Sequence, residues 1–143
     1  MAKKQHKLEY SLEFNADLIG ISSHENDYRL CWALNSSLNF NFIRTHNVEI
    51  KGNINGEDQN FIKYTYIDDD TSNTYQLISN RCDNGFLLEE YTNIDFILMI
   101  NGEYPGHFIG HLINSIKSIS IITLAFKIDA ESIKKKSKLK LIF

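Results

Sequence analysis

Little in this sequence punctuates it. A single proline, Pro105, and seven scattered glycines serve 143 residues, and no Pro-, Gly- or Ser-rich stretch separates one part of the chain from another. A linker between domains is therefore not written anywhere, and 1–143 reads as one domain of ordinary size. Cysteine is equally sparse. Cys31 and Cys82 lie far apart, in neither a C-x-x-C pair nor a ligand-spaced cluster, so neither a disulfide framework nor a cysteine-built zinc site is written here, and reduced thiols are expected. The longest apolar-rich run, Ile119 to Phe126, contains Ser120 and Thr123 and falls far short of the ~20 residues that span a bilayer. Lys3 and Lys4 open the chain like a signal n-region, but the following Leu8 to Phe14 alternates with charge, with no apolar h-region behind it. A cytoplasmic location is expected.

The catalytic signatures are missing too. Neither G-x-G-x-x-G nor a P-loop can be written through the glycines, and G-x-S-x-G is absent. No cofactor is implied.

What the chain does have is apolar mass. Hydrophobic residues make up 43% and aromatics 12%, enough to offset the entropy of ordering one core. Charge is distributed unevenly. All 18 acidic residues lie between Glu9 and Glu131 with only seven of the 15 basic ones, a net of −11. The other eight, Lys3, Lys4, Lys7, Lys134, Lys135, Lys136, Lys138 and Lys140, give +8 at the two ends. Such lysines keep terminal strand edges from pairing with other chains, or they meet an anionic partner such as RNA.

Hydrophobic periodicity orders the elements. Leu8, Tyr10, Leu12 and Phe14 alternate with polar residues as in a strand with one buried face, and Leu18 to Ile21 is a short buried extended segment. Ser22-Ser23-His24-Glu25 fits an S-x-x-E capping box opening a helix. Leu30, Leu34 and Leu38, with Cys31 beside them, then give that helix a buried stripe ending near Asn39, and leave Arg29 and Trp32 off it. Phe40 to Ile50, Phe61 to Ile67 and Tyr75 to Ser79 read as strands of a meander. Ile94 to Ile100 is apolar on both sides, like a central strand buried on two faces. Phe108, Leu112, Ile116 and Ile119 give a second amphipathic helix over 105–118, followed by a strand at Ile121 to Ile128. That strand, helix and strand suggest a crossover between parallel strands. A last short strand is expected at Leu139 to Phe143. The fold class is α+β: a mixed, mostly antiparallel sheet with two amphipathic helices on one face.

Four groups invite a chemical reading. Ser22, His24 and Glu25 put a hydroxyl, an imidazole and a carboxylate side by side, but a catalytic triad converges from separate elements, and capping explains the serine and glutamate. Asp68-Asp69-Asp70 would need glycine at the sixth place and glutamate at the twelfth to be a calcium loop; those places hold Asn73 and Ser79, so a hairpin turn is expected. His107 and His111 share a helix face, but Phe108 stands where H-E-x-x-H has its glutamate, and no metal site is assigned. The most function-like stretch is Ser79 to Phe86, where Arg81, Cys82, Asn80 and Asn84 gather between strands and Arg81 has Glu89, Glu90 or Asp95 as partners in reach.

Three stretches, Leu18 to His24, Asp27 to Asn35 and Leu77 to Arg81, together with Leu88-Glu89-Glu90-Tyr91-Thr92-Asn93-Ile94-Asp95-Phe96, resemble the IPExxxVDY family of uncharacterised proteins of the Bacteroidetes. In the naming motif leucine stands for isoleucine, Glu89 for proline, Ile94 for valine and Phe96 for tyrosine, while Glu90 and Asp95 match. The resemblance implies a host group and a cytoplasmic setting, with no assigned activity.

The leading expectation is thus a non-enzymatic interaction or adaptor domain with a protein partner, or a homodimer formed through a sheet edge or helix face. The alternative is a ligand-binding protein or enzyme with a polar site near Arg81, Glu90 and Asp95, joined by Tyr28, Arg29 and Trp32. The third is RNA binding through Lys134, Lys135 and Lys136.

Overall fold

A computed structural model describes residues 16–52 and 56–133. The expected strands at 8–14 and 139–143 and the terminal lysines lie outside these residues.

The elements are β1 (Asp17–Ser23), α1 (Asp27–Leu38), β2 (Ile43–Arg44), β3 (Val48–Ile50), β4 (Gln59–Phe61), β5 (Lys63–Ile67), β6 (Thr74–Ser79), β7 (Arg81–Cys82), β8 (Gly85–Phe86), β9 (Phe96–Asn101), α2 (Phe108–Lys117) and β10 (Ile122–Ile128), with a 3-10 turn at Ala130–Ser132. Six strands form the main sheet in the order β10-β1-β9-β6-β5-β2, and every neighbouring pair is antiparallel. The fold is α+β.

Strand period 2 sorts side chains onto two faces. Ile19, Ile21, Tyr75, Leu77, Phe96, Leu98 and Ile100 face one way, where Leu30, Cys31, Ala33 and Leu34 of α1 and Ile109, Leu112 and Ile116 of α2 pack on them. Both helices lie on this face. Leu18, Ile78, Ile97 and Met99 face the other way, under Val48, Phe61, Leu87, Leu88, Ile94 and Ile133. The central strand β9 is buried on both sides, as its unbroken apolar run requires.

Four expectations change in detail. β9 and β10 run parallel in direction, but β1 lies between them and is antiparallel to each, so α2 crosses over β1 rather than joining neighbours. Second, Phe40 to Ile50 is two strands. β2 pairs with β5 in the main sheet and β3 with β4 in a separate ribbon, because the hairpin bends at 45–47 and at Ile62 and lays Val48 and Phe61 over the second face.

Third, the capping box does not form. Ser22 and Ser23 belong to β1, and α1 is capped by Asn26, whose Oδ1 accepts from the Arg29 N–H at 3.1 Å. Its C-terminus is as expected, with Asn39 at φ 58° in the left-handed region. Fourth, α2 begins at Phe108 rather than 105, Pro105 standing in the turn before it.

The Asp68–Asn73 segment is the β5–β6 hairpin turn, closed by the Asp68 N–H donating to the Asn73 carbonyl at 2.9 Å. Asp83 and Asn84 form the two-residue turn between β7 and β8.

Candidate functional site

At one end of the main sheet the last residues of β1 and β6 meet the first of β9 and β10. Ile21 and Ser79 both stand opposite Phe96, and Ser23 stands opposite Ile122. The β1–β10 register slips here, with Ser22 opposite Leu124, so Thr123 is an extra, bulged residue. Its hydroxyl donates to the Ser22 carbonyl at 3.0 Å. Bulging lets Ile122 and Ala125, three apart, share the helix side.

This end carries the Arg81–Asp95 pair. Arg81 Nε donates to Asp95 Oδ1 at 2.8 Å, and Nη2 donates to the Thr92 carbonyl at 3.1 Å. The guanidinium lies 5.2 Å from the centre of the Phe86 ring. The second Asp95 oxygen accepts the Ser23 N–H at 3.0 Å, so one carboxylate joins the β7–β8 hairpin to the end of β1. With Arg81 52% and Asp95 26% exposed, solvent screens the pair to about 1 kcal/mol or less, and its main effect is orientation.

An open cleft of about 540 Å³ faces this pair, lined by Ser22, Ser23, His24, Glu25, Arg81 and Asp95 among others. A second, of about 400 Å³, adjoins Arg81 and has Glu57, Asp58, Cys82 and Asp83 in its wall. The hydroxyls in the first cleft hold the fold together. Ser22 Oγ donates to the Asn93 carbonyl at 2.6 Å, while Ser23 Oγ donates to the Ile121 carbonyl at 2.8 Å and accepts the Glu25 N–H at 3.1 Å. Neither serine is set up as a nucleophile donating to a base. The arrangement offers a guanidinium, an imidazole and two carboxylates to a polar ligand.

Of the residues singled out by sequence, Arg81 and Asp95 converge. Glu90 is exposed on the 87–94 loop and does not line this cleft. Tyr28, Arg29 and Trp32 form a separate surface on the outside of α1, where Arg29 Nε approaches Glu25 Oε2 at 3.6 Å. Lys134, Lys135 and Lys136 lie outside the described residues. Cys31 is buried, and burial, then the Asp27 charge, push its thiol pKa up, which disfavours the thiolate. Cys82 Sγ donates to Asn84 Oδ1 at 3.1 Å. His107 and His111 are exposed with ring centres 6.2 Å apart; among the described residues no three His, Cys, Asp or Glu side chains are grouped to hold a metal ion.

The residue that sequence reading undervalued is Asn80, the second residue of the stretch that looked functional. It is fully buried. Its Nδ2 donates to the Tyr91 and Ile94 carbonyls at 2.8 and 3.1 Å, and its Oδ1 accepts the Leu88 N–H at 2.7 Å. One amide thus templates the 87–94 loop over the sheet. The only signal in the sequence was an asparagine directly after an apolar strand, which reads as a turn residue.

No helix among the described residues is long and apolar enough to cross a membrane. No family model matches the chain, and no curated protein matches it.

Proposed function

We propose that this chain is a non-enzymatic interaction domain of the cytoplasm whose contact surface is the outer stripe of α1, used in the simplest case to form a homodimer. The observation that carries this is the exposure of Trp32 and Tyr28, 71% and 63%, one helical turn apart; no other described aromatic is exposed. Burying an aromatic removes 150–250 Å² of surface from water, and Trp and Tyr are the residues most enriched at the centres of protein contacts. An antiparallel pairing of two α1 helices about a dyad midway between these two residues on the outer face would set each Tyr28 against the partner's Trp32. The two thiols, Cys31 and Cys82, are free, in keeping with a cytoplasmic setting. The resemblance to the IPExxxVDY family is proposed on the same footing; its two matching carboxylates, Glu90 and Asp95, fall on the exposed loop and in the Arg81 pair.

Light scattering coupled to size exclusion tests the proposal between about 10 and 100 µM. A dimer that becomes a monomer in Trp32→Ala and Tyr28→Ala supports it; a wild-type monomer throughout this range removes the homodimer. Trp32 is the chain's single tryptophan, so a blue shift of its emission with concentration reports burial of this residue directly.

The alternative reading, a small polar ligand held by Arg81 and Asp95, is favoured by the cleft of about 540 Å³ in front of the pair. It requires Arg81→Met to abolish binding of a ligand that leaves Trp32 emission unchanged.

A further inference from the structure

A different cavity, of about 380 Å³, opens where the C-terminal end of α1, the first turns of α2 and the β5–β6 turn meet. Its apolar wall is Leu38, Phe40, Tyr75, Phe108 and Leu112. The rings belong to a larger aromatic group: Phe40 lies 4.9 Å from Tyr75 and 5.2 Å from Tyr66, and Phe108 lies 5.0 Å from Tyr104, centre to centre. Its polar lining is Asp68, His107, His111 and Ser115.

Charge decides what such a cavity would accept. Asp17, Glu25, Asp27, Glu49, Asp58 and Asp95 each have a basic side chain within 4.0 Å. Asp68, Asp69 and Asp70 have no such partner among the described residues, so the β5–β6 turn carries three carboxylates without an ion pair, of which Asp68 lines the cavity. Their field reaches Tyr66, the ring beside Phe40 and Tyr75. Burial first, and then the charges of Asp68, Asp70 and Asp69, push the Tyr66 hydroxyl pKa up. Ring faces carry a negative quadrupole, and a cation with an apolar skin suits both features at once: methyl groups meet the rings while the charge meets Asp68.

We propose that this cavity binds a small organic cation of the methylated ammonium class. The volume is ample for a trimethylammonium head and a short tail. A neutral molecule of the same shape would gain the apolar contacts and forfeit the attraction of rings and turn, a difference of about tenfold or more in affinity for a desolvated site.

The test is a titration of the full chain, followed by amide NMR, with choline and with its carbon isostere 3,3-dimethyl-1-butanol. Saturable shifts at Leu38, Phe108 and Leu112 with choline, and affinity about tenfold weaker for the isostere, are expected. Asp68→Asn retains the Oδ1 that accepts the Asp70 N–H, so it preserves the turn and should weaken choline severalfold. Trp32→Ala should change nothing, which separates this site from the α1 stripe. Equal affinity for the two probes, choline affinity unaltered by Asp68→Asn, shifts centred on Trp32, or no shifts up to about 20 mM choline would each overturn the proposal.

Discussion

Asn80 shows how much of this architecture can rest on one side chain. Replacing it with alanine would leave the Leu88 N–H and the Ile94 carbonyl without these buried bonds and would take from the half-buried Tyr91 carbonyl one of the two bonds it accepts, the other coming from the Ile94 N–H. A buried polar group left unpaired costs about 1–3 kcal/mol, so a loss of about 3 kcal/mol is expected for Asn80→Ala, read from the urea midpoint. A loss below about 1 kcal/mol would mean that Leu87, Leu88 and Ile94 hold the loop by packing alone. Tyr64 sets a second expectation. Burial, then its 2.6 Å hydrogen bond to Asp27, push its hydroxyl up to about 12 from 10. A folded pKa above the unfolded one gives stability that is complete below about pH 10 and is lost as pH rises toward 12. Stability should therefore fall across that window, and Tyr64→Phe should flatten the fall. None of this was legible in the sequence, where Asn80 and Tyr64 look like any turn residue and any strand aromatic, because their partners lie 8 to 37 residues away.

At the level of elements, what local periodicity specifies was legible and what depends on another layer was not. The buried stripe of α1, its stop at Asn39, the Asp68–Asn73 turn and the two-faced burial of β9 all follow from spacing and turn chemistry. The break at Ile62 does not, because the apolar pattern runs straight through it, and only the second face of the sheet gives Phe61 a reason to leave β5's plane. The start of α1 was misplaced by four residues for a related reason. Ser22 and Glu25 fit a local capping pattern, but Ser22 and Ser23 are worth more as bridges to Asn93 and Ile121, distant partners no local pattern reveals. The two assignments are separable by mutation. With Asn26 as the cap, Asn26→Ala should cost about 1 kcal/mol of stability. Glu25→Ala, which loses only a half-exposed ion pair with Arg29, should stay within about 0.5 kcal/mol. Reversed magnitudes in thermal or urea unfolding would reinstate the capping box.

For the whole molecule, topology arranges stability from the inside out. β9 is hydrogen-bonded to β1 on one side and β6 on the other, and is covered by helices on one face and by the β3–β4 ribbon and the 87–94 loop on the opposite one. β2, by contrast, is a two-residue edge with exposed side chains. The candidate surfaces all sit at the outer rim of this arrangement. The Arg81–Asp95 cleft is at the sheet's end, the Tyr28–Trp32 stripe is on the outside of a helix, and the aromatic cavity lies beside a turn. Contacts made at such places can form and dissolve without disturbing the strands beneath. Opening free energies in one domain range from near zero at its edges to the global value in its centre. Native-state hydrogen exchange should accordingly find Ile97, Leu98 and Met99 exchanging last, only through global unfolding, and the β2 amides exchanging early. Association through α1 would then raise the global value with protein concentration and leave this ranking unchanged. If β9 exchanged together with the β7–β8 hairpin, the centre of stability would lie elsewhere, in the helix layer, and the rim would not be separable from the core in the way the sheet order implies.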